Sequence, residues 1–543
     1  MKDCFEIEGQ IVDPLAGRIF SGRVYVESGR IKRVSECKTE SRKYITPGLV
    51  DAHVHVESSM LVPTEFARLA VIHGTVATVS DPHEIANVLG LAGVEFMLEN
   101  ARRTLFKFAF GAPSCVPATP FETSGAILDS ADVRSLLERD DIYYLSEMMN
   151  YPGVLSGDPE VMAKIRAARD VGKPVDGHAP GLTGDDVLKY AGAGISTDHE
   201  CFTKEEALSK IKAGMKILIR EGSAARNFSA LIELLDEYPD SIMFCSDDKH
   251  PDDLIAGHIN SLLARAVAAG RDPLVALKAA TVNPVQHYRL PVGLLREGDP
   301  ADFVVFSDLE KFQVEQTFID GICVAECGKA LLEPVQCQTP NVMACSPLNT
   351  ADIKVSAESG TLRAIEVIDG ELITNEIKVP AAIVNGEAVS DSGRDLLKLV
   401  VINRYRQEKP AVAFVKNFGL KKGALASTVA HDCHNIIAVG TNDNDIVSAV
   451  NGLIESGGGV SAAEGNRLDH LALPVAGLMS AEDGHTVAEL YKKLDARAKE
   501  LGSTLRAPFM SLSFLALLVI PKLKLGDRGL FDGESFEFVP LFV

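Results

Sequence analysis

A chain of 543 residues that is 46% hydrophobic is too long for one ordinary core and should divide into two to four domains. Its formal net charge of -21, with no long Lys/Arg cluster, argues against a surface that tracks nucleic-acid phosphates or an acidic membrane, and favours a small neutral or cationic substrate. The opening MKDCFEIEGQIVD carries no secretory pattern, and the late apolar run Phe514 to Ile520 (FLALLVI) is too short to span a bilayer, so a cytoplasmic protein is expected.

Residues 1–44 alternate apolar and polar side chains between glycine turns, the pattern of short β-strands. From residue 45 to 288 one unit repeats: a short apolar strand, a polar loop, then a helix. The strands are TPGLVDAHVH, TVATVSD, KFAFGAPS, DIYYLSEMM, KPVDGHAP, ISTDHE, MKILIRE and SIMFCSDD. Between them, Asp158-Pro159 opens a helix that Gly172 stops, and Thr203 with Glu206 forms a capping-box pattern before a helix closed by Gly214. Eight such units in this length predict an α/β fold with a (β/α)8 TIM-type barrel, usually about 250 residues long. An open doubly wound sheet is the alternative, but no GxGxxG or P-loop accompanies these strands.

Residues 289–342 return to strand-like alternation, so a small β-sandwich built from both sides of the barrel is expected. Residues 343–543 read as a C-terminal α+β domain with strands such as LLKLVVINRY, PAVAFVKNFG and NIIAVGT. Its clearest helix carries an apolar stripe of Ile446, Val447, Val450, Leu453 and Ile454. The glycines at 457–459 read as a helix stop, since no Lys-Ser/Thr follows. Ten cysteines scattered from Cys4 to Cys433 fit a reducing compartment, and Cys323, Cys327, Cys337 and Cys345, lacking a CxxC pair, are read as structural.

The chemistry collects where the strands end. In LVDAHVHVESSM, alternation puts His53 and His55 on one strand face, half a metal site if it is not simply a half-buried inert pair. The other strand ends supply Asp81, Glu147, His178, His199, Glu221 and Asp247. In a (β/α)8 barrel those ends form the active-site face. Three or four imidazoles with two carboxylates suit two borderline divalent ions, which activate water at neutral pH, and a further carboxylate is then needed to move its proton.

These features, with PGLVDAHVH at the first strand and the later GLLREGDPADFVVF, resemble the amidohydrolase superfamily of metal-dependent hydrolases. DAHVHVESSM, SDPHEIANVLG, EMMNYPGV, GHAPGL, TDHE, CSDDKHPDDL and VAHDCHNIIAVGTND narrow the resemblance to its bacterial adenine deaminases across nearly the whole chain. That resemblance implies His53, His55 and Asp247 as ligands of one metal, His178 and His199 of a second, and Glu147 as the bridge in place of the carboxylated lysine of many superfamily members. It implies hydrolysis of adenine to hypoxanthine and ammonia in purine salvage, with Asp247 and Glu147 catalytic. It also implies two ions per chain, Mn(II) or Fe(II) ahead of Zn(II), and a homodimer. Glu57, His83 and Glu84 are candidates for holding the purine N1 edge or for orienting the ligands, and Asp248 and His250 carry the same two readings. His431, Asp432 and His434 in HDCHN are pocket candidates from a C-terminal domain that reaches over the barrel mouth. The competing readings are another superfamily hydrolase acting on a cyclic amide or an N-acetyl sugar, and a barrel kept as a non-catalytic scaffold.

Overall fold

The computed structural model describes residues 4–358 and 360–543; residues 1–3 of the N-terminal segment lie outside the described residues. All eight barrel strands form where the sequence places them. Leu49–Val54, Thr75–Ser80, Lys107–Ala112, Ile142–Met148 and Val175–Gly177 run parallel as five neighbours, and Thr197–Asp198, Lys216–Arg220 and Ile242–Cys245 continue as three more. The fifth and sixth strands are stitched by Ser196 N–H donating to Val175 O at 2.9 Å. The ring closes where Asp247 N–H donates to His53 O at 2.9 Å and His55 N–H to Asp247 O at 3.4 Å. That closure sets the ends of the first and eighth strands side by side. Helices cover the outside, and every residue of Leu49–Val54, Thr75–Ser80 and Ile242–Cys245 is buried, as strands sandwiched between barrel interior and helices must be.

Local signals act as expected, with one difference. Asp158 accepts from the Glu160 and Val161 N–H groups at 2.9 and 3.0 Å ahead of the helix Pro159–Asp170. Thr203 accepts from Glu206 N–H at 3.2 Å, but the Glu206 carboxylate does not return to Thr203; it accepts from Phe202 N–H and Gly181 N–H and pairs with buried Lys210. The tertiary partners outcompete the local box.

The β-rich flanks combine into one eight-stranded sheet in which Tyr44–Pro47 from before the barrel pairs with Phe303–Phe306 from after it. Two strands separate Cys4–Asp13 from Val314–Ile319 in this sheet, yet the Phe5 and Phe318 rings stack 5.5 Å apart. The sheet therefore curls on itself around Ile11, Val24, Phe303 and Phe318, while Val12, Val304 and Phe306 on its other face pack with the barrel core.

A second eight-stranded sheet, Thr361–Val367 to Arg467–Ala472, carries the C-terminal helices. The helix Asp443–Ser456 buries Ile446, Val450 and Leu453, starts on the Asn442 side chain and ends at Gly457, whose φ of 77° is left-handed. All ten cysteines are free. Among the described residues no helix is long and apolar enough to cross a membrane.

Candidate active site

Alternation along the first strand brings the His53 and His55 Nε2 atoms to 3.2 Å, both rings buried. The fourth strand ends in Glu147, and its two oxygens face opposite sides of the barrel mouth. Oε1 lies 3.2 Å from His55 Nε2, while Oε2 lies 2.7 Å from His178 Nδ1 and 3.2 Å from His199 Nε2. His178 and His199 converge because Asp198 ties their strands, accepting from Ala179 N–H and Glu200 N–H and pairing with Lys210. Asp247 adopts a left-handed φ of 54°, uncommon outside glycine, and turns Oδ1 to within 3.3 Å of His55 Nε2 and 3.6 Å of His53 Nε2. Six predicted residues thus converge on one small space: His53, His55, Glu147, His178, His199 and Asp247.

The electrostatics follow from that crowding. Burial would neutralise Glu147, but the imidazoles of His178, His199 and His55 hold its carboxyl well below the usual range. Burial likewise disfavours a charged Asp247, and Arg220 and His55 reverse it. Burial beside His199 pushes His53 well below the usual imidazole value, leaving a neutral ring with a free electron pair. His53 Nδ1 is buried without a hydrogen-bond partner. Buried imidazole nitrogens and carboxylate oxygens within 4.8 Å of one another, as in His53, His55 with Asp247 and in His53, Glu147 with His199, are a donor set that fits divalent cations.

Around this cluster lies a second set. His83, from the start of the helix His83–Leu89, lies 3.1 Å from Asp81 through Nδ1 and 3.6 Å from Glu84 through Nε2. The C-terminal HDCHN segment descends onto it. His431 Nε2 lies 3.1 Å from Glu84 and 3.4 Å from Asp248, and Asp432 lies 3.8 Å from His83. Ser58 Oγ donates to Asp248 Oδ1 at 2.5 Å. His83, Glu84, Asp248, His431 and Asp432 line the same cavity as His55, Glu147, His178, His199 and Asp247, while His53 lies buried just behind the lining.

Glu57 and His434 do not line the cavity. Glu57 accepts from Ile85 N–H at 3.2 Å, and burial raises its carboxyl to about 7. His434 Nε2 bonds the Glu84 carboxylate from behind. His250 packs edge-on against Tyr491 at 4.8 Å, outside the lining. Glu221, which the strand-end pattern put in the site, pairs with Arg265 instead. The seventh strand delivers Arg220, one residue earlier, because a single step along a strand reverses the face. Arg220 donates through Nη1 to Asp247 Oδ2 at 2.6 Å and through Nη2 to Glu200 Oε2 at 3.0 Å, and neither Arg220 nor Glu200 was singled out from the sequence. The apolar wall formed by Leu372, Phe514, Leu517, Val519 and Ile520 was also missed; the FLALLVI run was its visible trace. Cys433 is buried, which shields its thiol from oxidants.

Known proteins resemble this chain from end to end. The amidohydrolase family matches residues 44–324, and the adenine deaminase C-terminal domain matches residues 371–537. A curated adenine deaminase of Salinibacter ruber is 57% identical over 100% of this chain and 100% of its own. Those of Methanosarcina barkeri and Methanosarcina mazei are each 54% identical over 98% of this chain and 99% of their own. Hydrolases of the amidohydrolase family act with divalent metal, which the buried imidazole and carboxylate cluster suits. With two family matches and full-length identity of this order, the chain belongs to the adenine deaminases of the amidohydrolase family.

Proposed function

We propose that this chain hydrolyses adenine to hypoxanthine and ammonia at the barrel mouth, and that Glu147 joins two halves of a binuclear metal site. The observation that carries this reading is the two-sided geometry of Glu147, one oxygen toward His55 and the other toward His178 and His199. A cyclic amidase of the superfamily would be expected to hold a lysine there. His53, His55 and Asp247 would hold one divalent ion and His178 and His199 the other, with Mn(II) or Fe(II) favoured over Zn(II). When bound, such ions supply water activation at neutral pH and polarisation of the amidine carbon.

The protein's own groups do the rest. Asp247 carries the proton of the attacking water to the departing amine, and Arg220, bonded to Oδ2, orients that carboxylate and keeps it ionised beforehand. His83 and Glu84 hold the N1 edge of the purine, with Asp248, His431 and Asp432 completing the polar wall. Glu57 and His434 act one layer back, on the Ile85 N–H and on Glu84. The C-terminal segment excludes water from the mouth. The enzyme works in the cytoplasm as a homodimer.

The test is turnover. Metal-free protein regains hypoxanthine and ammonia production from adenine when about two Mn(II) or Fe(II) ions per chain are restored, and Glu147→Ala and Asp247→Asn each lose at least ~10³-fold in kcat. Metal uptake with turnover of a cyclic amide but not of adenine would refute the assignment.

A further inference from the structure

Lys524 is fully buried in the strand Leu523–Gly526, and among the described residues no carboxylate pairs with it. Its Nζ instead donates to Leu372 O at 2.5 Å and to Phe514 O at 3.0 Å. Both acceptors belong to residues that wall the cavity. Burial alone pushes the ammonium down to about 7. An amine buried at such cost between two carbonyls, with no counter-charge, calls for a role that a methylene chain would not fill.

What it joins is the apolar side of the site. Leu372, Val519 and Ile520 pack on a small cluster of Ala224, Met510, Phe514 and Leu517, where Ala224 comes from the loop after the seventh strand. The stretch Phe514–Ile520 forms a strap along this wall, tied just before its start by a 2.6 Å hydrogen bond between His431 Nδ1 and Ser513 Oγ. At its end, Thr374 N–H donates to Pro521 O and Lys522 N–H to Thr374 O, both at 3.1 Å. The Lys524 side chain spans both pieces of the wall.

The purine C6 has to meet the Glu147 cluster and N1 the polar wall of His83 and Glu84. N9 lies across the bicycle from C6, so it points toward the wall of Leu372, Phe514, Leu517, Val519 and Ile520, while Glu200 and Arg220, the charged residues left in the lining, are engaged with each other and with Asp247. A substituent on N9 would then press into apolar side chains, and the hydroxyls of a ribose would find no partner there. Resting on the deaminase reading above, we propose that Lys524 is a positioning residue that pins Leu372 and the Phe514–Ile520 strap over the base, and that this strap restricts the site to purines unsubstituted at N9.

The experiment compares adenine with 9-methyladenine and adenosine in the metal-loaded full chain, for the parent, Lys524→Met, and Leu517→Ala with the pin intact. The readout is the specificity ratio, in which the kcat/KM measured with 9-methyladenine is divided by that measured with adenine. Each variant should raise KM for adenine and increase this ratio by about tenfold, whereas a merely structural lesion lowers both substrates together. Variants that keep the ratio within about twofold of the parent overturn the proposal, as does a change in Leu517→Ala alone when Lys524→Met is folded and unchanged. Should Lys524→Met not fold, Leu517→Ala and Val519→Ala decide by the same ratio. A parent that leaves adenine untouched overturns the deaminase reading and this proposal with it; a parent that turns over adenine beside variants of unaltered ratio overturns this proposal alone.

Discussion

Arg220→Met separates the structural worth of the site's internal ion pairs from their catalytic worth. The guanidinium is 2% exposed and is shared by Glu200 at 2% and Asp247 at 3%, so the substitution leaves two buried carboxylates facing one another without their cation. Breaking a buried pair from one side costs about 3–5 kcal/mol. For a unit of about 240 residues, 1 kcal/mol corresponds to ~2 °C of melting temperature, so the metal-free variant should melt roughly 6–10 °C below the parent. If Asp247 holds a metal ion as proposed, loading brings positive charge to it and shrinks the difference, and adding Glu200→Gln to Arg220→Met should recover part of the loss, because one of the two uncompensated carboxylates is removed. Adenine turnover should fall about 10- to 100-fold as Asp247 loses the group that orients it. Scanning calorimetry on metal-free and loaded protein, with steady-state kinetics, reads all of this. A metal-free Arg220→Met that melts within about 2 °C of the parent would refute the argument that these carboxylates depend on Arg220.

Two other measurements probe the frame. His431 is held at about 9: burial disfavours its imidazolium, but Glu84 and Asp248 outweigh burial. Its folded value exceeds the unfolded one, so the contribution is complete below about pH 6.5 and is lost as pH rises through 9, of order 3 kcal/mol in total. Protection factors around residues 429–435, which remove the intrinsic base-catalysed rise of exchange with pH, should therefore fall between pH 7 and 9 in the parent and stay level in His431→Gln; identical protection profiles would count against the ion-pair account. Gly48 sits between Tyr44–Pro47 of the flanking sheet and Leu49–Val54 of the barrel, and an added Cβ would lie 2.4 Å from Val76 Cγ2. Val76 is fully buried and cannot swing away, so Gly48→Ala should cost about 1–3 kcal/mol in a thermal melt, and an unchanged melt would show that the two sheets slide freely there.

What the sequence determined by itself is whatever a short stretch of chain dictates through its own period. Eight apolar runs with polar ends are enough to specify eight parallel strands, since a strand buried on both faces has nowhere else to put Val50, Val76 or Phe244. The same period aims His53 and His55 together, and the barrel rule gathers Glu147, His178, His199 and Asp247 at one end. The tertiary structure alone decided what these groups meet. Whether the seventh strand offers Arg220 or Glu221 depends on a one-residue register that composition does not reveal. Whether Glu57 faces the cavity or the Ile85 N–H depends on how the segment after His55 turns. The wall from Phe514 to Ile520 and the clamp of Lys524 join residues more than 140 positions apart, as Lys524 and Leu372 are. Such contacts arise from the packing of the C-terminal sheet on the barrel mouth, where burial and hydrogen-bond satisfaction over the whole chain, rather than any local pattern, choose the partners.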